Sequence, residues 1–465
     1  MRYFINILLL IFFANLLFSQ NNNWLPSGLP TNLFGRELSC FYVDTTQNEL
    51  YIGSVLKSWY SWEHQTIAKY DGNSWDTLGD FDWKVRTMIN YQGNLIVGGE
   101  FTKVNGVQVS HITIYNGNSW VNIGNFDYPV INLKIIEDTL YAMGFFSQVD
   151  SIPVNGIAKW DGNTWSNVFS FPSCDYPPWA SDIVKYKGNY YVAGNFNIQQ
   201  KNIRDIAMYK NNTWQSVGQG FFGGFNAINQ MLVYKDELYA AGLIKKTDGN
   251  IGSGIQKWDG TSWTEPGTSL QDVNNSYNSN IQIHGMTIYK NELYVCGGFY
   301  YAGNVPAFTL AKWDGKRWCG FGTTNILTGY GTDIAFFNDT LYYNTGEDTL
   351  NGQFTNYLLK YNGTLLADTC STPLSINESI ALNKNNIHIF PNPTQNHLNI
   401  QLNKQTSKNL KIQLYDIVGK LIETYIFENS QSINKIDISE LKAGVYFVKV
   451  SVYDGEFVLD KFVKL

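Results

Sequence analysis

The chain is poor in charge and in histidine, and both shortages narrow its range of functions. Only 15% of its 465 residues are charged, and the formal net charge is −6, which disfavours nucleic acid as a partner. With five His in all, there is no His-rich set of metal ligands. A nucleophile elbow and a Gly-rich phosphate loop are also missing. We therefore expect no metal site, no cofactor and no standard catalytic motif.

Long apolar runs are missing too, except at the start of the chain. Residues 1–19 contain Arg2 and then an apolar stretch that ends in small and polar residues, which predicts a secretory signal peptide. The alternative is a membrane anchor, but Asn6 and Asn15 interrupt the stretch, and it is short for a span. No Cys lies near the expected cleavage point, which argues against a lipoprotein anchor. We expect no membrane span in the mature chain.

Aromatic residues are abundant, and tryptophan recurs with a regular spacing. Seven Trp each open a short strand-like run: Trp24, Trp75, Trp120, Trp165, Trp214, Trp263 and Trp318. Six of them follow an aromatic residue and a polar turn, at Tyr70, Tyr115, Trp160, Tyr209, Trp258 and Trp313. Trp24 has no such partner upstream, whereas Tyr361 is followed by a turn and no Trp. The first strand therefore completes the last repeat, and the array is predicted to be circular.

A repeat of about 45 to 55 residues is typical of propeller blades, each a four-stranded antiparallel sheet. A second-strand motif recurs seven times, at residues 50–51, 95–96, 140–141, 190–191, 238–239, 293–294 and 341–342. The sequence thus predicts an all-β fold, with a seven-bladed β-propeller over residues 20–366. Residues 24–28 should pair with the strand that ends at Tyr361 and close the ring.

Four Trp are not explained by the repeat. Ten Trp belong to predicted third or fourth strands and are expected between the blades, whereas Trp59, Trp62, Trp83 and Trp179 fall in or beside long loops. These loops share one rim of a propeller, and loops on a rigid scaffold usually carry function. With Tyr60, the four Trp are the candidate ligand-binding residues. The alternative is that their rings only cover the blades. Phe101, Phe145, Phe196 and Phe299 follow second strands repeatedly, which indicates a structural role.

Acidic residues offer a second functional hypothesis. Asp71, Asp161, Asp259 and Asp314 each precede Gly, as tight hairpin turns require, so a structural role is favoured for them. Glu63, Glu100 and Asp150 lie in or near long loops. They leave open a glycan-active hydrolase or lyase, although sequence spacing cannot establish the necessary pair of carboxylates. A purely structural surface-layer or adhesion component is a third possibility.

Five cysteines are an odd number, so at least one lies outside any internal disulfide. Cys296 and Cys319 belong to the second and fourth strands of one predicted blade. Because neighbouring strands are about 4.8 Å apart, that pair is too distant for an easy bridge. Cys319 with Cys370 is the better candidate, since the chain leaving the seventh blade passes near the sixth.

The repeat stops after Leu366, and the last hundred residues read differently. Residues 367–386 are polar and aperiodic, which predicts a linker. Residues 387–465 alternate between polar and apolar positions in five segments, which predicts a small β-sandwich with strands at 398–402, 411–415, 433–438, 444–450 and 457–463.

This last segment resembles the type A C-terminal sorting domain of type IX secretion in Bacteroidota. Four ordered motifs carry the resemblance: residues 389–394 (IFPNPT), 414–420 (LYDIVGK), 436–449 (IDISELKAGVYFVK) and 461–464 (KFVK). The sorting residues that the resemblance implies are Pro391, Asn392, Pro393, Gly419, Lys420, Gly444 and Tyr446. It also implies Sec export, contact with the type IX machinery, removal of the domain, and release or surface attachment of the rest.

The upstream repeats resemble kelch-type propeller arrays, with strand-ending Gly pairs at 98–99 and 297–298 and an aromatic-then-Trp pair downstream. They are also similar to repeats of fungal cortical polarity proteins. Both likenesses concern the fold, and propellers host unrelated functions. We expect a secreted or cell-surface protein that binds an extracellular glycan or protein and is not an enzyme.

Overall fold

The computed structural model describes two compact units, Met1–Pro373 and Leu374–Leu465. The described residues are 24–57, 64–169, 179–198, 203–222, 228–272, 281–321, 331–346, 348–350, 353–361, 370, 387–402, 410–416, 421–427, 433–452 and 457–465. Within them, regular structure is strand apart from the 3₁₀ turns Gly35–Glu37 and Lys246–Asp248, so the all-β prediction is confirmed. No helix in this part of the chain is long and apolar enough to span a membrane. The predicted signal peptide, residues 1–19, lies outside it.

The described part of the first unit contains seven main antiparallel sheets, numbered here in chain order. Six have four strands, and sheet one has six because a hairpin from sheet two extends its four. Sheet one comprises Phe41–Asp44, Glu49–Leu56, Gln65–Tyr70 and Trp75–Phe81. Sheet two comprises Val85–Tyr91, Asn94–Gly99, Ile112–Tyr115 and Trp120–Val121. Sheet three comprises Val130–Ile136, Thr139–Gly144, Ile157–Trp160 and Trp165–Asn167. Sheet four comprises Trp179–Tyr186, Asn189–Ile198, Ile203–Lys210 and Thr213–Ser216.

The remaining three sheets repeat this order. Sheet five comprises Gln230–Tyr234, Glu237–Ala241, Ile255–Trp258 and Trp263–Thr264. Sheet six comprises Ile283–Tyr289, Glu292–Gly297, Leu310–Trp313 and Trp318–Gly320. Sheet seven comprises Ile334–Phe337, Thr340–Asn344 and Leu358–Tyr361, and its fourth strand is Trp24–Pro26.

The N-terminal strand joins the last sheet, as the aromatic repeat predicts. Trp24 lies opposite Tyr361 in the register, and Pro26 lies opposite Leu359. In each other sheet the fourth-strand Trp lies opposite the third-strand aromatic residue in the same way: Tyr70 and Trp75, Tyr115 and Trp120, Trp160 and Trp165, Tyr209 and Trp214, Trp258 and Trp263, Trp313 and Trp318. The pairing of the first strand with the last repeat is confirmed.

Tryptophan packing links each sheet to the one before it. Of the ten Trp predicted to lie between sheets, nine are buried and Trp75 is half-buried. The indole Nε1 of Trp165 donates to the carbonyl of Ile123 at 2.7 Å, and that of Trp318 donates to the carbonyl of Pro266 at 2.7 Å. Both acceptors follow the preceding sheet. These side chains therefore combine apolar burial with satisfied polar atoms.

First strands contact one another in cyclic order from sheet one to sheet seven and back to sheet one. Between neighbouring first strands, a side chain of one sheet accepts a hydrogen bond from a backbone N–H of the next. Thr87 accepts from Leu133 at 3.1 Å, and Asp182 accepts from Met231 at 2.6 Å. Gln230 accepts from Met286 at 2.6 Å. Polar side chains in the interior thus replace the ladder that separate sheets cannot form with each other.

Additional short strands lie in the loops between the second and third strands of several sheets. They are Lys103–Val104 with Val107–Gln108, Gln148–Val149 with Ile152–Pro153, Tyr301–Ala302 with Val305–Pro306, and Thr349–Leu350 with Gln353–Phe354. Leu270–Gln271, from the segment between sheets five and six, pairs with Tyr301–Ala302. The hairpin Lys103–Val104 with Val107–Gln108 follows the second strand of sheet two and pairs with sheet one, where Val104 lies opposite Phe81. Asp82 fixes it by accepting from the backbone N–H groups of Thr102 and Lys103.

The second unit contains two antiparallel sheets that share one apolar core. One sheet comprises Ile387–Phe390, His397–Leu402 and Ile433–Asp437, and the other comprises Leu410–Tyr415, Leu421–Phe427, Gly444–Val452 and Phe457–Lys464. The sequence analysis predicted five strands here and missed Ile387–Phe390 and Leu421–Phe427. Leu421–Phe427 is an edge strand whose side chains are largely exposed on both faces, so it lacks the polar–apolar alternation of a half-buried strand.

The predicted disulfide between Cys319 and Cys370 is confirmed. Cys40 and Cys296 are free and buried, and Cys174 lies outside the described residues.

Candidate ligand-binding cavity

A cavity of about 710 Å³ opens where the first strands of the seven sheets begin. Each sheet contributes a side chain from the start of its first strand or from the two residues before it: Ser39, Arg86, Ile131, Ser181, Asn229, His284 and Thr332. Loops between second and third strands contribute Glu100, Phe145, Gly346 and Tyr357. The cavity therefore lies on the long-loop side, where the sequence analysis placed the binding surface.

Four of these lining residues owe their direction to β-bulges. The register shifts by one residue at Arg86, Ile131, Ser181 and His284, each of which lies between two paired positions of its first strand. An extra residue in one strand re-aims its side chain away from the regular alternation. The same irregularity in sheets two, three, four and six thus builds the cavity wall.

Two aromatic rings in contact, tilted by 34° to each other, form one side of the cavity. Trp179, a predicted site residue, opens the first strand of sheet four, and its ring packs on that of Phe145 with centroids 4.7 Å apart. Phe145 is 45% exposed, so its predicted structural role is wrong. The neighbouring Phe146 is fully buried and packs edge-on against Phe126. The repeat needs only one buried ring at this position. The doublet Phe145–Phe146 was therefore the signal in the sequence that one of the two rings is exposed.

The other three residues predicted to be structural behave as expected. Phe101 and Phe299 are buried after their second strands, and Phe196 is buried within its own.

Trp83 lies beside the cavity and contacts one of its lining residues. Its indole Nε1 donates to Glu100 Oε2 at 2.8 Å, while Arg86 Nε donates to Glu100 Oε1 at 2.7 Å. Trp83 itself is 40% exposed. The other members of the predicted aromatic surface, Trp59, Tyr60 and Trp62, lie outside the described residues, as does Glu63. Their place next to Trp83 stays a prediction.

Charge is distributed unevenly around the cavity. The cations Arg36, Lys84 and Arg86 come from the approach to sheet one and from the start of sheet two. Glu100 is the single acidic residue among the described side chains that line it. Burial lowers the pKa of His284, so this imidazole is neutral at pH 7. Sheets five to seven contribute neutral hydrogen-bonding groups, including Asn229, Thr332 and Asn344.

Two carboxylates lie one residue further along the first strands and serve the scaffold. Asp182 is buried and forms an ion pair with Lys134 at 2.7 Å; burial raises its pKa, and the Lys134 charge opposes that shift. Asp333 accepts from the backbone N–H groups of Phe41 and Ile334, and burial raises its pKa to about 6. Neither lines the cavity.

Other acidic candidates are structural. In the turn after Tyr70, Asp71 Oδ1 accepts from the backbone N–H groups of Asn73 and Ser74 at 2.7 Å, and Gly72 has φ +98°. Asp161, Asp259 and Asp314 repeat this arrangement, which confirms the turn interpretation. Asp150 caps a loop by accepting from Asn125. Among the described residues, no group of three or more His, Cys, Asp or Glu is placed to hold a metal ion.

In the second unit, sorting-motif residues from the two ends of the domain meet. Asn392 Oδ1 accepts from the backbone N–H of Val463 at 2.9 Å, and its Nδ2 donates to the carbonyl of Lys461 at 2.9 Å. Pro391 and Pro393 flank this anchor. Gly444 opens the strand on which Tyr446 stacks against Phe462. Gly419 and Lys420 lie outside the described residues.

Comparison with known proteins identifies the second unit. Residues 388–464 match the family described as the secretion system C-terminal sorting domain. The chain therefore carries a type IX secretion sorting domain, and the predicted resemblance is confirmed. No curated protein matches the chain.

Two solved structures are similar over most of the chain. Both are extracellular domains of BT4673 from B. thetaiotaomicron, described as a putative one component system and as a putative hybrid two component system. Each is 13% identical, with 95% of this chain and 75% of that chain covered and a TM-score of 0.18. A likeness at this TM-score carries no argument about fold or function.

Proposed function

We propose that the protein is a secreted or cell-surface seven-bladed β-propeller of kelch-like type that binds an extracellular glycan or protein through its long-loop cavity. The carrying observation is a cavity to which all seven sheets contribute at or just before the start of their first strands, with the contacting rings of Phe145 and Trp179 in its wall. The sorting domain supports export by the type IX machinery, and residues 1–19 are proposed as the signal peptide that precedes it.

Three features of the first unit support the propeller. Seven sheets, each with four main strands, follow one another in chain order, their first strands contact in a cycle, and the strand Trp24–Pro26 completes the last sheet. A ring of short sheets of this kind leaves only short, protected edges. The proposed organisation is a propeller over residues 20–366, a linker over 367–386 and a sorting domain over 387–465.

Binding is favoured over glycoside hydrolysis by the acidic residues of the cavity. Hydrolysis of a glycosidic bond generally requires two carboxyl groups, an acid and a base or nucleophile. Among the described residues that line the cavity, Glu100 is the single carboxylate, and both of its oxygens accept hydrogen bonds, from Trp83 and Arg86. The described lining therefore offers no second carboxylate for the hydrolase or lyase alternative.

Glycan and protein arrays probed with the full-length protein test the proposal. Phe145→Ala and Trp179→Ala should abolish binding of any ligand found while changing the melting temperature little, because the rings are partly exposed. Phe146→Ala is the matched control: it removes a fully buried ring and should cost about 3 to 5 kcal/mol of stability. A substituted Trp59, Trp62 or Trp83 that weakens binding would extend the site to the predicted aromatic surface. Binding that survives Phe145→Ala and Trp179→Ala would contradict the proposed site.

A further inference from the structure

Three sheets of the first unit hold a Glu side chain at the same place, between a Lys and a Tyr of the same sheet. The Glu opens the second strand, the Tyr follows two residues later, and the Lys lies opposite that Tyr on the third strand. The sets are Glu49, Tyr51 and Lys69 in sheet one, Glu237, Tyr239 and Lys257 in sheet five, and Glu292, Tyr294 and Lys312 in sheet six. Residues two apart on a strand share a face with the residue opposite them, so the three side chains meet.

The three carboxylates accept hydrogen bonds from the same two donors. The Lys ammonium lies 2.9 Å from Glu49, 2.8 Å from Glu237 and 2.9 Å from Glu292. The Tyr hydroxyl donates to the Glu of its own sheet in all three, at 3.5 Å in sheet five and 3.2 Å in sheet six. Hydrogen bonds to a charged group are roughly twice as strong as neutral ones. A Lys and a Tyr in this arrangement therefore form a carboxylate-binding pair.

Sheet seven has the Lys and the Tyr of this arrangement without the Glu. Thr340 opens its second strand, Tyr342 follows two residues later, and Lys360 lies opposite Tyr342 on the third strand. Among the described residues, neither the Tyr342 hydroxyl nor the Lys360 ammonium has a hydrogen-bond or ion-pair partner. Burial raises the pKa of Tyr342, so its hydroxyl keeps its proton at pH 7 and can donate it. Both donors of the pair are thus available to a carboxylate from outside the chain.

The two donors line a cavity of about 170 Å³ between sheets seven and one. The lining also includes the aromatic rings of Tyr70 and Phe337, together with Gly72 and Asn338 from short turns of the two sheets. An apolar cavity of about 150 Å³ is large enough to hold benzene. The space therefore suits a carboxylate with an apolar body of about that size. It lies at the short turns, at the opposite ends of the strands from the long-loop cavity.

Sheet three shows that the same residue types do not by themselves leave the donors available. Thr139, Tyr141 and Lys159 occupy the equivalent positions there. The Tyr141 hydroxyl, however, donates to the Tyr190 hydroxyl of sheet four at 3.4 Å, and Lys159 is exposed. The arrangement in sheet seven therefore differs from that in sheet three, and sheet three supplies matched control positions.

We propose that the cavity between sheets seven and one binds a small carboxylate ligand, with the carboxylate on Lys360 and Tyr342 and its apolar body against the aromatic rings. The ligand supplies from outside the group that a Glu side chain supplies in sheets one, five and six. This site is separate from the long-loop cavity, so it does not depend on the binding function proposed there.

Ligand-observed saturation-transfer NMR with the full-length protein tests the proposal with benzoate and with benzamide, a neutral probe of nearly the same shape. Benzoate should bind at least about tenfold more tightly, because its carboxylate accepts charge-assisted hydrogen bonds from Lys360 and Tyr342. Equal affinity for the two probes, or no binding of benzoate, would overturn the proposal.

Thr340→Glu locates the site, because it supplies the carboxylate from the chain itself. This variant should weaken benzoate binding about tenfold or more, since its own side chain would occupy both donors as Glu does in the other sheets. Thr139→Glu, at the equivalent position of sheet three, is the matched control and should change the affinity less than about twofold. Unchanged binding to Thr340→Glu, or equal losses in the two variants, would show that benzoate binds elsewhere and that the proposal is wrong.

Lys360→Gln and Tyr342→Phe remove one donor each while they keep most of the side chain. Each should weaken benzoate binding by about tenfold, as expected for the loss of a hydrogen bond to a charged group. Lys159→Gln in sheet three removes the same charge and should have no such effect. Melting curves verify that each variant folds. If Thr340→Glu does not fold, the comparison of Lys360→Gln with Lys159→Gln decides, and equal affinities in these two variants would refute the site.

Discussion

The carboxylate of Asp333 in sheet seven accepts a hydrogen bond from the backbone N–H of Phe41 in sheet one at 2.7 Å. The same kind of bond links Thr87 to Leu133 and Gln230 to Met286 in successive sheets. Among these bonds, the one from Phe41 to Asp333 connects the first sheet to the last. Sheet seven is therefore linked to the N-terminal part of the chain in two places. One is the bond between Asp333 and Phe41, and the other is the strand Trp24–Pro26.

Asp333 should make stability depend on pH. Its pKa is about 6 in the folded chain because of burial, against about 3.9 for an unfolded Asp. Between these values the folded chain retains a proton that the unfolded chain has lost. The contribution is thus complete below pH 4 and is lost as pH rises through 6, by at most about 3 kcal/mol.

Urea unfolding of wild type and Asp333→Asn from about pH 2 to 7 checks this expectation. Asparagine keeps an oxygen for the Phe41 N–H but carries no charge, so the variant should gain stability relative to wild type as pH rises. Asp71→Asn is the opposite control. Backbone N–H groups, chiefly that of Ser74, lower the Asp71 pKa, so wild type should gain on this variant as pH rises through 4. Parallel curves for wild type and Asp333→Asn would refute the assignment.

Removing the closing strand should destabilise the first unit. Trp24 is 5% exposed, and its ring meets that of Tyr361 edge-on at 4.9 Å. Trp24→Ala should cost about 3 to 5 kcal/mol, and deletion of residues 20–30 should cost more, because it also leaves Leu358–Tyr361 as an edge. Trp83→Ala, at an exposed Trp, should cost about 1 kcal/mol or less. Equal melting temperatures for Trp24→Ala and Trp83→Ala would contradict closure.

His111 occupies a backbone position that favours glycine. Its φ is +67°, and Gly156 has φ +82° at the equivalent place in sheet three. The two carbonyls accept from Gly99 and Gly144 at 3.0 and 3.1 Å. His111→Gly should therefore stabilise the protein by about 1 kcal/mol, while Gly156→Ala should destabilise it by a similar amount. Thermal unfolding of both variants decides it, and a lower melting temperature for His111→Gly would show that its side-chain contacts outweigh the strain.

The sorting domain should be needed for export and not for folding of the first unit. In a host with type IX secretion, a chain that lacks residues 386–465 should accumulate in the periplasm as a folded, protease-resistant product. Cell fractionation compares it with the full-length chain. Normal delivery of the truncated protein to the surface would argue against the sorting role in this chain.

Most of the fold of the first unit could be predicted from the repeat of aromatic residues. Trp opposite Tyr or Trp at a fixed spacing predicted the third and fourth strands of each sheet, and the unmatched Trp24 and Tyr361 identified each other as partners. This succeeded because cross-strand aromatic pairing is local and recurs in every repeat.

The cavity was only partly predictable. Long loops and Trp179 indicated the side on which the cavity lies. Arg86, Ser181 and His284 line the cavity because of bulges, whose position depends on how neighbouring sheets pack. Phe145 was misassigned because sequence alone does not tell which member of a Phe doublet is buried. Arg36 belongs to no repeat. Its place in the cavity wall is therefore visible only in the structure, where it lies in the 3₁₀ turn Gly35–Glu37.

Closure by the strand Trp24–Pro26 also constrains the order of folding. Trp24 is among the earliest described residues to be synthesised, yet its partner strand Leu358–Tyr361 comes only after all the other sheets. Contacts of such large sequence separation pay their loop-closure entropy late and form slowly. Until the final repeat is synthesised, Trp24–Pro26 has no strand to pair with, and sheet seven cannot be completed. A chain that stops before Leu358 therefore leaves Trp24 without Tyr361, its cross-strand partner.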